Sequence, residues 1–236
     1  MTTPLTTAAH DQTQPKRTVK VWDAPTRLFH WALVAALGLC WLSGEQGNFT
    51  VHFIAGHVVV GLLLFRLVWG ILGSQTARFG DFVRGPGAVV AYARRVFGGT
   101  PDYSVGHNPA GAVMVLLLLL VAGAQAVTGL FASEMTYAFI EGPLAPLVDS
   151  DTSETLTSLH KKTLFNTLLT LAALHVLAAF AYLFIKRENL IRPMVTGWKA
   201  LPHDKADPPP RMAKPVVALG VGLISAAAAW SLYAMM

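Results

Sequence analysis

The chain has 236 residues, enough for one domain, and is 53% hydrophobic but only 13% charged. That charged share is about half of what soluble domains carry. It is too small to cover a water-facing surface, so the composition favours a membrane domain, and with five apolar segments along the chain the expected fold is an all-α integral membrane protein. The net charge of +5 does not indicate nucleic acid, because the Lys and Arg residues form no single patch interleaved with aromatics. The single cysteine, Cys40, excludes a disulfide framework and an all-cysteine iron–sulfur site, and the lack of Cys-x-x-Cys-His excludes covalent c-type haem.

In chain order, residues 1–20 are Thr-rich and polar, and the first apolar run begins only near Leu28. A secretory signal places its apolar core earlier, so 1–20 read as a disordered cytoplasmic tail. Five apolar segments follow, at 26–43, 53–72, 109–131, 163–185 and 215–235. Each approaches the roughly 20 residues that a helix needs to cross the hydrocarbon core. Residues 78–99 mix arginines with Phe79, Phe82, Val89 and Tyr92, a pattern that suits a segment lying on the membrane surface and equally an irregular loop packed on helix ends. Residues 199–214, with Pro208, Pro209 and Pro210, read as a stiff Pro-rich linker on the cytoplasmic side. Residues 215–236 then supply an additional C-terminal transmembrane helix.

Loop charge sets the expected orientation. Lys16, Arg17, Lys20 and Arg27 precede the first segment, Arg78, Arg84, Arg94 and Arg95 follow the second, and a run from Lys186 to Lys214 follows the fourth. The loop 44–51 has no Lys or Arg, and neither does 132–159, which holds Glu134, Glu141, Asp149, Asp151 and Glu154. The positive-inside rule then puts the N-terminus in the cytoplasm and the C-terminus in the periplasm of a bacterial inner membrane.

Six of the eight histidines lie in or beside spanning segments: His30, His52, His57, His107, His160 and His175. Any one of them alone is as well explained by an interhelical hydrogen bond. Ionisable groups within a bilayer nevertheless point to function, and here the acids sit almost wholly in loops, unlike those of a proton or cation carrier. His160 and His175 stand at i and i+15 on the fourth segment. On an ideal helix they differ by about 60° in direction and roughly 22 Å in height. That is too far for one ion but suits two stacked haems, each taking a second axial imidazole from another helix.

His52 and His57 compete for one such role. Five residues apart, they point about 140° from one another. Arg66 serves as a compass, because a charge this far into the second segment should face protein. On a helix His52 points within about 40° of the Arg66 direction, whereas His57 opposes it. Gly56, one turn after His52, leaves space for a porphyrin; Gly129 reads as such a space or as a close helix contact. Direction favours His52, with His57 as the alternative ligand.

The stretches from Val21 to Trp31, from His52 to Gly56 with Arg66 to Gly70, from Ala77 to Phe79, from Gly106 to Pro109, from Glu141 to Ala145, and from His160 through Asn166 to His175 are familiar in this order. Over about residues 19–198 the chain resembles the bacterial cytochrome b561 and nickel–iron hydrogenase b-type cytochrome family. The resemblance implies a domain at 21–198 forming a four-helix transmembrane bundle with two haem b groups. It implies axial pairs His30 with His175 on the inside and His52 with His160 on the outside. Close relatives are expected to place the last-helix histidines at i and i+14, so the i+15 here calls for a π-bulge or a helix shift. His30 and His175 also sit at apparently different depths, one near its boundary and the other well before Lys186.

Haem propionates need cations or donors. Arg66 and Arg27 are candidates inside, Lys161 and Lys162 outside, the two lysines serving equally well as a solvated helix start. His107 and Asn108, with 22–27, are placed to line a quinone pocket, to cap a helix or to serve a propionate. Two histidines on each iron leave no open position, which favours electron transfer. The resemblance adds a quinone as the membrane-soluble carrier. The expected function is transmembrane electron transfer between the quinone pool and a periplasmic partner, such as a c-type cytochrome or an oxidoreductase subunit. A stand-alone superoxide:quinone oxidoreductase is the alternative, and a haem-free metal or proton transporter using the histidines is the alternative from another class.

Overall fold

The computed structural model describes residues 16–97, 103–135 and 140–236. Residues 1–15 of the expected tail, residues 98 and 99 of the surface segment and residues 136–139 of the acidic loop lie outside the described residues.

Helix starts are set by side-chain caps. Asp23 precedes α1 (Ala24–Glu45), and its carboxylate accepts from the Thr26 amide at 2.6 Å while Pro25 presets the first turn. Asn48 caps α2 (Phe49–Leu72) through the Val51 amide. Between α1 and α2 the chain reverses at Gly47, whose φ of 67° is open to glycine without Cβ strain. The segment expected to lie on the surface folds into the short helix α3 (Phe79–Phe82) and α4 (Pro86–Phe97). Tyr92 of α4 is buried, with its hydroxyl 2.5 Å from that of Tyr182. Asn108 caps α5 (Pro109–Leu130) through the Gly111 amide at 2.7 Å. After a small hairpin of β2 (Ser133–Glu134) and β3 (Ile140–Glu141), Asp149 caps the next helix through Thr152. The Thr152 amide and hydroxyl hold the Asp149 carboxyl below the usual carboxylate range.

That next helix, α6, runs unbroken over Ser150–Phe184, 35 residues. At 1.5 Å per residue it is about 50 Å long, against a hydrocarbon core of about 30 Å, so its first turns project beyond the membrane. It starts at Ser150, several turns ahead of the apolar run that begins at Thr163. Hydropathy cannot see this polar extension. Within it, Leu159–Leu164 form a π turn. The last helix, α9 (Pro215–Tyr233), packs along α2, where Gly61 admits Ala229 and Ser225: a Cβ on Gly61 would stand 3.2 Å from the Ala229 Cβ.

Among the described residues five helices are long and apolar enough to span a bilayer. Their outer faces are hydrocarbon, with Ile71, Leu120 and Ile224 each about 70% accessible, a surface that only lipid satisfies. Inside, Ala36 of α1, Val59 and Leu63 of α2, Ala122 of α5 and Leu168 of α6 meet in one cluster.

One end of the helices is basic and is closed by a ribbon. Strand β1 (Lys16–Lys20) pairs antiparallel with β4 (Trp198–Pro202), Lys16 opposite Pro202 and Lys20 opposite Trp198. The expected tail and linker thus contain ordered strands. Val19 and Leu201 are 3% and 1% accessible and pack with Val21, Trp22 and Ala206 in a second core. Val21 and Trp22 amides donate to Gly197 O, which follows the short helix α7 (Ile191–Thr196), and the Thr76 hydroxyl donates to Val21 O at 2.6 Å. Residues 203–206 form the single-turn helix α8, and residues 207–214 have no regular structure. They hydrogen-bond back to Ser74 and Gln75. The expected stiff Pro-rich linker is thereby fastened along the basic end.

Candidate functional site

Four imidazoles converge in two pairs, each at one end of the central cluster. His30 of α1 faces His175 of α6 with ring centres 6.3 Å apart, and His52 of α2 faces His160 of α6 at 6.1 Å. Two imidazoles bridged by one metal ion with bonds of about 2 Å have ring centres roughly 6 Å apart, so both spacings fit an iron between the rings. The same spacing is too long for a direct hydrogen bond between the rings. Among the described residues no three His, Cys, Asp or Glu side chains gather to hold an ion by themselves. The remaining ligands would have to come from a cofactor such as a porphyrin.

The π turn explains how one helix serves both pairs. His160 lies within it, so the extra residue between the two histidines is absorbed and their directions come to within about 40°. The depth difference between His30 and His175 disappears as well, because their rings lie side by side.

At the acidic end the rings are oriented by main-chain carbonyls. The His52 Nδ1–H donates to Cys40 O and the His160 Nδ1–H to Gln125 O, both at 2.8 Å. This fixes the tautomer and leaves each Nε2 lone pair for a metal. Two glycines seat the rings. A Cβ on Gly44 would stand 3.2 Å from His52 Nδ1, and one on Gly129 would stand 2.8 Å from His160 Cε1. Gly129 is thus a close contact, but with the His160 ring itself. Gly56 has no atom within 4 Å of its would-be Cβ and opens on a cavity of about 350 Å³ lined by His52, His160, Gly129 and Gln125. His57 also borders this cavity but turns toward α9. Its ring packs edge-on to Tyr233 at 5.2 Å, Nδ1–H donates to Phe53 O, and the buried Nε2 has no partner among the described residues. Lys161 is paired with Glu134 at 3.3 Å, while Lys162 is exposed with no partner among the described residues.

At the basic end the surroundings are cationic. Arg66 is 3% accessible, its guanidinium lies 4.6 Å over the Phe79 ring, and NH1 has no hydrogen-bond partner among the described residues. A buried charge left so incomplete is costly, and an anion such as a propionate would satisfy it. Arg27 is engaged elsewhere: its NH1 donates to Val195 O beneath Gly197, and only Nε is left over. The His107 ring sits between Trp22 and Phe82, 4.7 Å from each, with Nδ1 enclosed and unpartnered among the described residues. Burial, helped by the nearby Arg66 charge, pushes its pKa down to about 3, so it acts as a neutral ring and not as a cation. Asn108 is consumed by capping α5 and by donating to the Tyr182 hydroxyl at 3.2 Å.

Sequence reasoning missed the anchor of the first motif. The Trp69 indole N–H, fully buried, donates to Asp23 and Thr26 at 3.2 Å each, tying the start of α1 to the end of α2. The Asp-x-x-Thr spacing carried the signal for the cap but gave no hint of the partner on α2. The Cys40 and Gln125 carbonyls that orient the His52 and His160 rings were not legible either, because backbone acceptors carry no residue signature.

Paired imidazoles at two depths in a multi-pass helical membrane protein define a b-type cytochrome architecture. The chain belongs to the prokaryotic cytochrome b561 family, whose model matches residues 21–197. Two relatives are each named "Probable Ni/Fe-hydrogenase B-type cytochrome subunit". One, from Azotobacter vinelandii, is 24% identical over 232 residues, covering 84% of this chain and 95% of the relative. The other, from Azotobacter chroococcum mcd 1, is 22% identical with the same coverage. No solved structure matches the chain with comparable significance. The protein is a multi-pass membrane cytochrome of electron transport that carries haem b.

Proposed function

We propose that the chain holds two haem b groups in a four-helix bundle of α1, α2, α5 and α6, one between His30 and His175 and one between His52 and His160, with α9 as an added fifth helix. The observation that carries this reading is the pair of facing-ring distances, 6.3 and 6.1 Å, at two levels of one helix. Haem held by these four histidines would supply reversible one-electron chemistry. The protein's part is to fix the imidazole tautomers through Cys40 O and Gln125 O, to compensate propionate charge with Arg66, and to keep the centre between the pairs dry with the Ala36, Val59 and Leu168 cluster.

By the positive-inside rule the ribbon end is cytoplasmic and the acidic end, with the C-terminus, is periplasmic. The electrons pass between a quinone and a periplasmic redox partner, either a c-type cytochrome or an oxidoreductase subunit. The names of the two relatives support a hydrogenase as that subunit. Glu134, Glu141, Asp149, Asp151 and Glu154 at the acidic end would draw a basic partner face. A pyridine haemochrome assay on the purified protein tests the reading, with two haems per polypeptide expected. One haem, or none, refutes the two-centre wire.

A further inference from the structure

A cleft of about 570 Å³ lies at the basic end, away from both histidine pairs. Three stretches far apart in sequence build it: Lys16 and Thr18 come from β1, Tyr103 from the segment ahead of α5, and Arg187, Arg192 and Trp198 from the run 182–202 that leaves α6 and enters α7 and β4. Among the residues lining it the one carboxylate, Glu188, is already engaged. The Lys199 ammonium, 12% accessible, binds it at 2.7 Å and also donates to Ser104 O. Arg187 and Arg192 therefore face no free acid among the described residues of the cleft. Arg187 is held there by a left-handed backbone, φ 55°, an uncommon conformation for a residue with a Cβ.

Positive charge that serves topology alone needs no concavity and no convergence of remote segments. The neighbourhood also has a lipid-facing side. Just ahead of Arg187 in the chain, Phe184 and Ile185 are 72% and 77% accessible, and Trp198 on the cleft wall is 49% accessible. Exposed apolar side chains, an indole and guanidinium groups thus share one neighbourhood, the combination that suits the boundary between hydrocarbon and headgroup.

We propose that this cleft binds the phosphate of an anionic phospholipid, with Arg187 and Arg192 as the principal cations and the acyl chains lying along Phe184 and Ile185. The inference goes beyond the electron-transfer reading and does not depend on haem number or on the redox partner. It adds a lipid requirement to the end of α6 that carries His175.

The test is native mass spectrometry of the full-length haem-loaded protein, delipidated in detergent and titrated with phosphatidylglycerol or phosphatidylcholine. One phosphatidylglycerol should be retained in preference to phosphatidylcholine. The double variant Arg187→Gln/Arg192→Gln should bind it roughly tenfold or more weakly, and Arg187→Lys/Arg192→Lys should keep most of the affinity. An unchanged haem spectrum in each variant establishes that the helices are intact. Equal retention of the two lipids, or equal phosphatidylglycerol binding by wild type and the Gln variant, overturns the proposal. So does displacement of the lipid by millimolar inorganic phosphate, which would assign the cleft to a soluble anion.

Discussion

The two histidine pairs share α6 and nearly the same ring separation, yet they are built by different means. The acidic-end pair is positioned by hydrogen bonds: both rings are tied to carbonyls, both are seated on glycines, and an open cavity adjoins them. The basic-end pair has no such ties among the described residues. His30 Nδ1 is buried without a partner there, and what surrounds the pair is charge and aromatic packing, with Arg66, His107, Trp22 and Phe82. One site commits its polar contacts to ligand geometry and the other to the electrostatics of what the ligands hold. On the proposed reading both hold haem, and the difference predicts that their variants fail in different ways.

The largest effect should come from the ligands themselves. His52→Ala is expected to remove the acidic-end haem and leave the other, halving the pyridine haemochrome yield. His57→Ala should leave the yield unchanged, because its ring faces Tyr233. Loss of haem in His57→Ala with retention in His52→Ala would exchange their roles.

Gly129→Ala is the next test and should act on one pair alone. Its Cβ would lie 2.8 Å from His160 Cε1, and the ring is tied to Gln125 O, so overpacking of about 1–3 kcal/mol is expected. Electron paramagnetic resonance should show the acidic-end low-spin signal shifted or partly lost and the basic-end signal intact. Two equally altered signals would mean that the pairs are mechanically coupled through α6.

Much of this was legible in the sequence because it rests on periodicity and charge. The five spans follow from hydropathy and length, and the shared direction of His160 with His175 and of His52 with Arg66 follows from the α-helical repeat; the matching of His30 to His175 and of His52 to His160 came from the family resemblance. The irregular step at 159–164 was legible only as a spacing that was one residue too long. Its location within α6 was not, since a π turn has no residue signature. The ribbon was hidden for a different reason. Short strands with Lys16, Arg17 and Lys20 on them look like solvated tail, and their partner, Trp198–Pro202, lies toward the opposite end of the chain. Long-range pairing of short, charged strands leaves no local pattern. Arg27 shows the limit of proximity arguments: it is placed beside the first ligand in sequence, but Val195 O claims its guanidinium.

A smaller effect, on potential and not on occupancy, should separate the cations at the two ends. Arg66→Gln removes a buried positive charge that disfavours the oxidised, more positive iron. The basic-end midpoint potential should therefore fall by roughly 50–100 mV. Lys161, 58% accessible and paired with Glu134, is screened by water. Lys161→Gln should therefore move the acidic-end potential much less. Redox titration followed at the haem absorbance reads both. An unchanged basic-end potential in Arg66→Gln would mean that the Arg66 charge is not felt by its haem.

The smallest expected effect concerns His107 and appears only as acid sensitivity. Its pKa in the folded protein, about 3, lies below the 6.5 of an accessible histidine. The unfolded chain therefore binds the proton first as pH falls. The stability contributed by the neutral, buried ring is complete above about pH 6.5 and is lost as pH drops toward 3, at about 1.4 kcal/mol per pH unit. His107→Phe keeps a flat ring between Trp22 and Phe82 and has no proton to take up. Nδ1 has no hydrogen bond to lose among the described residues, so stability at neutral pH should change little. Between pH 7 and pH 5 the wild type should lose about 2 kcal/mol more than the variant, seen as a steeper fall in the thermal midpoint by circular dichroism. Parallel curves for the two proteins would mean that His107 is protonated from solvent in the folded state. The basic end would then be wetter than its packing implies.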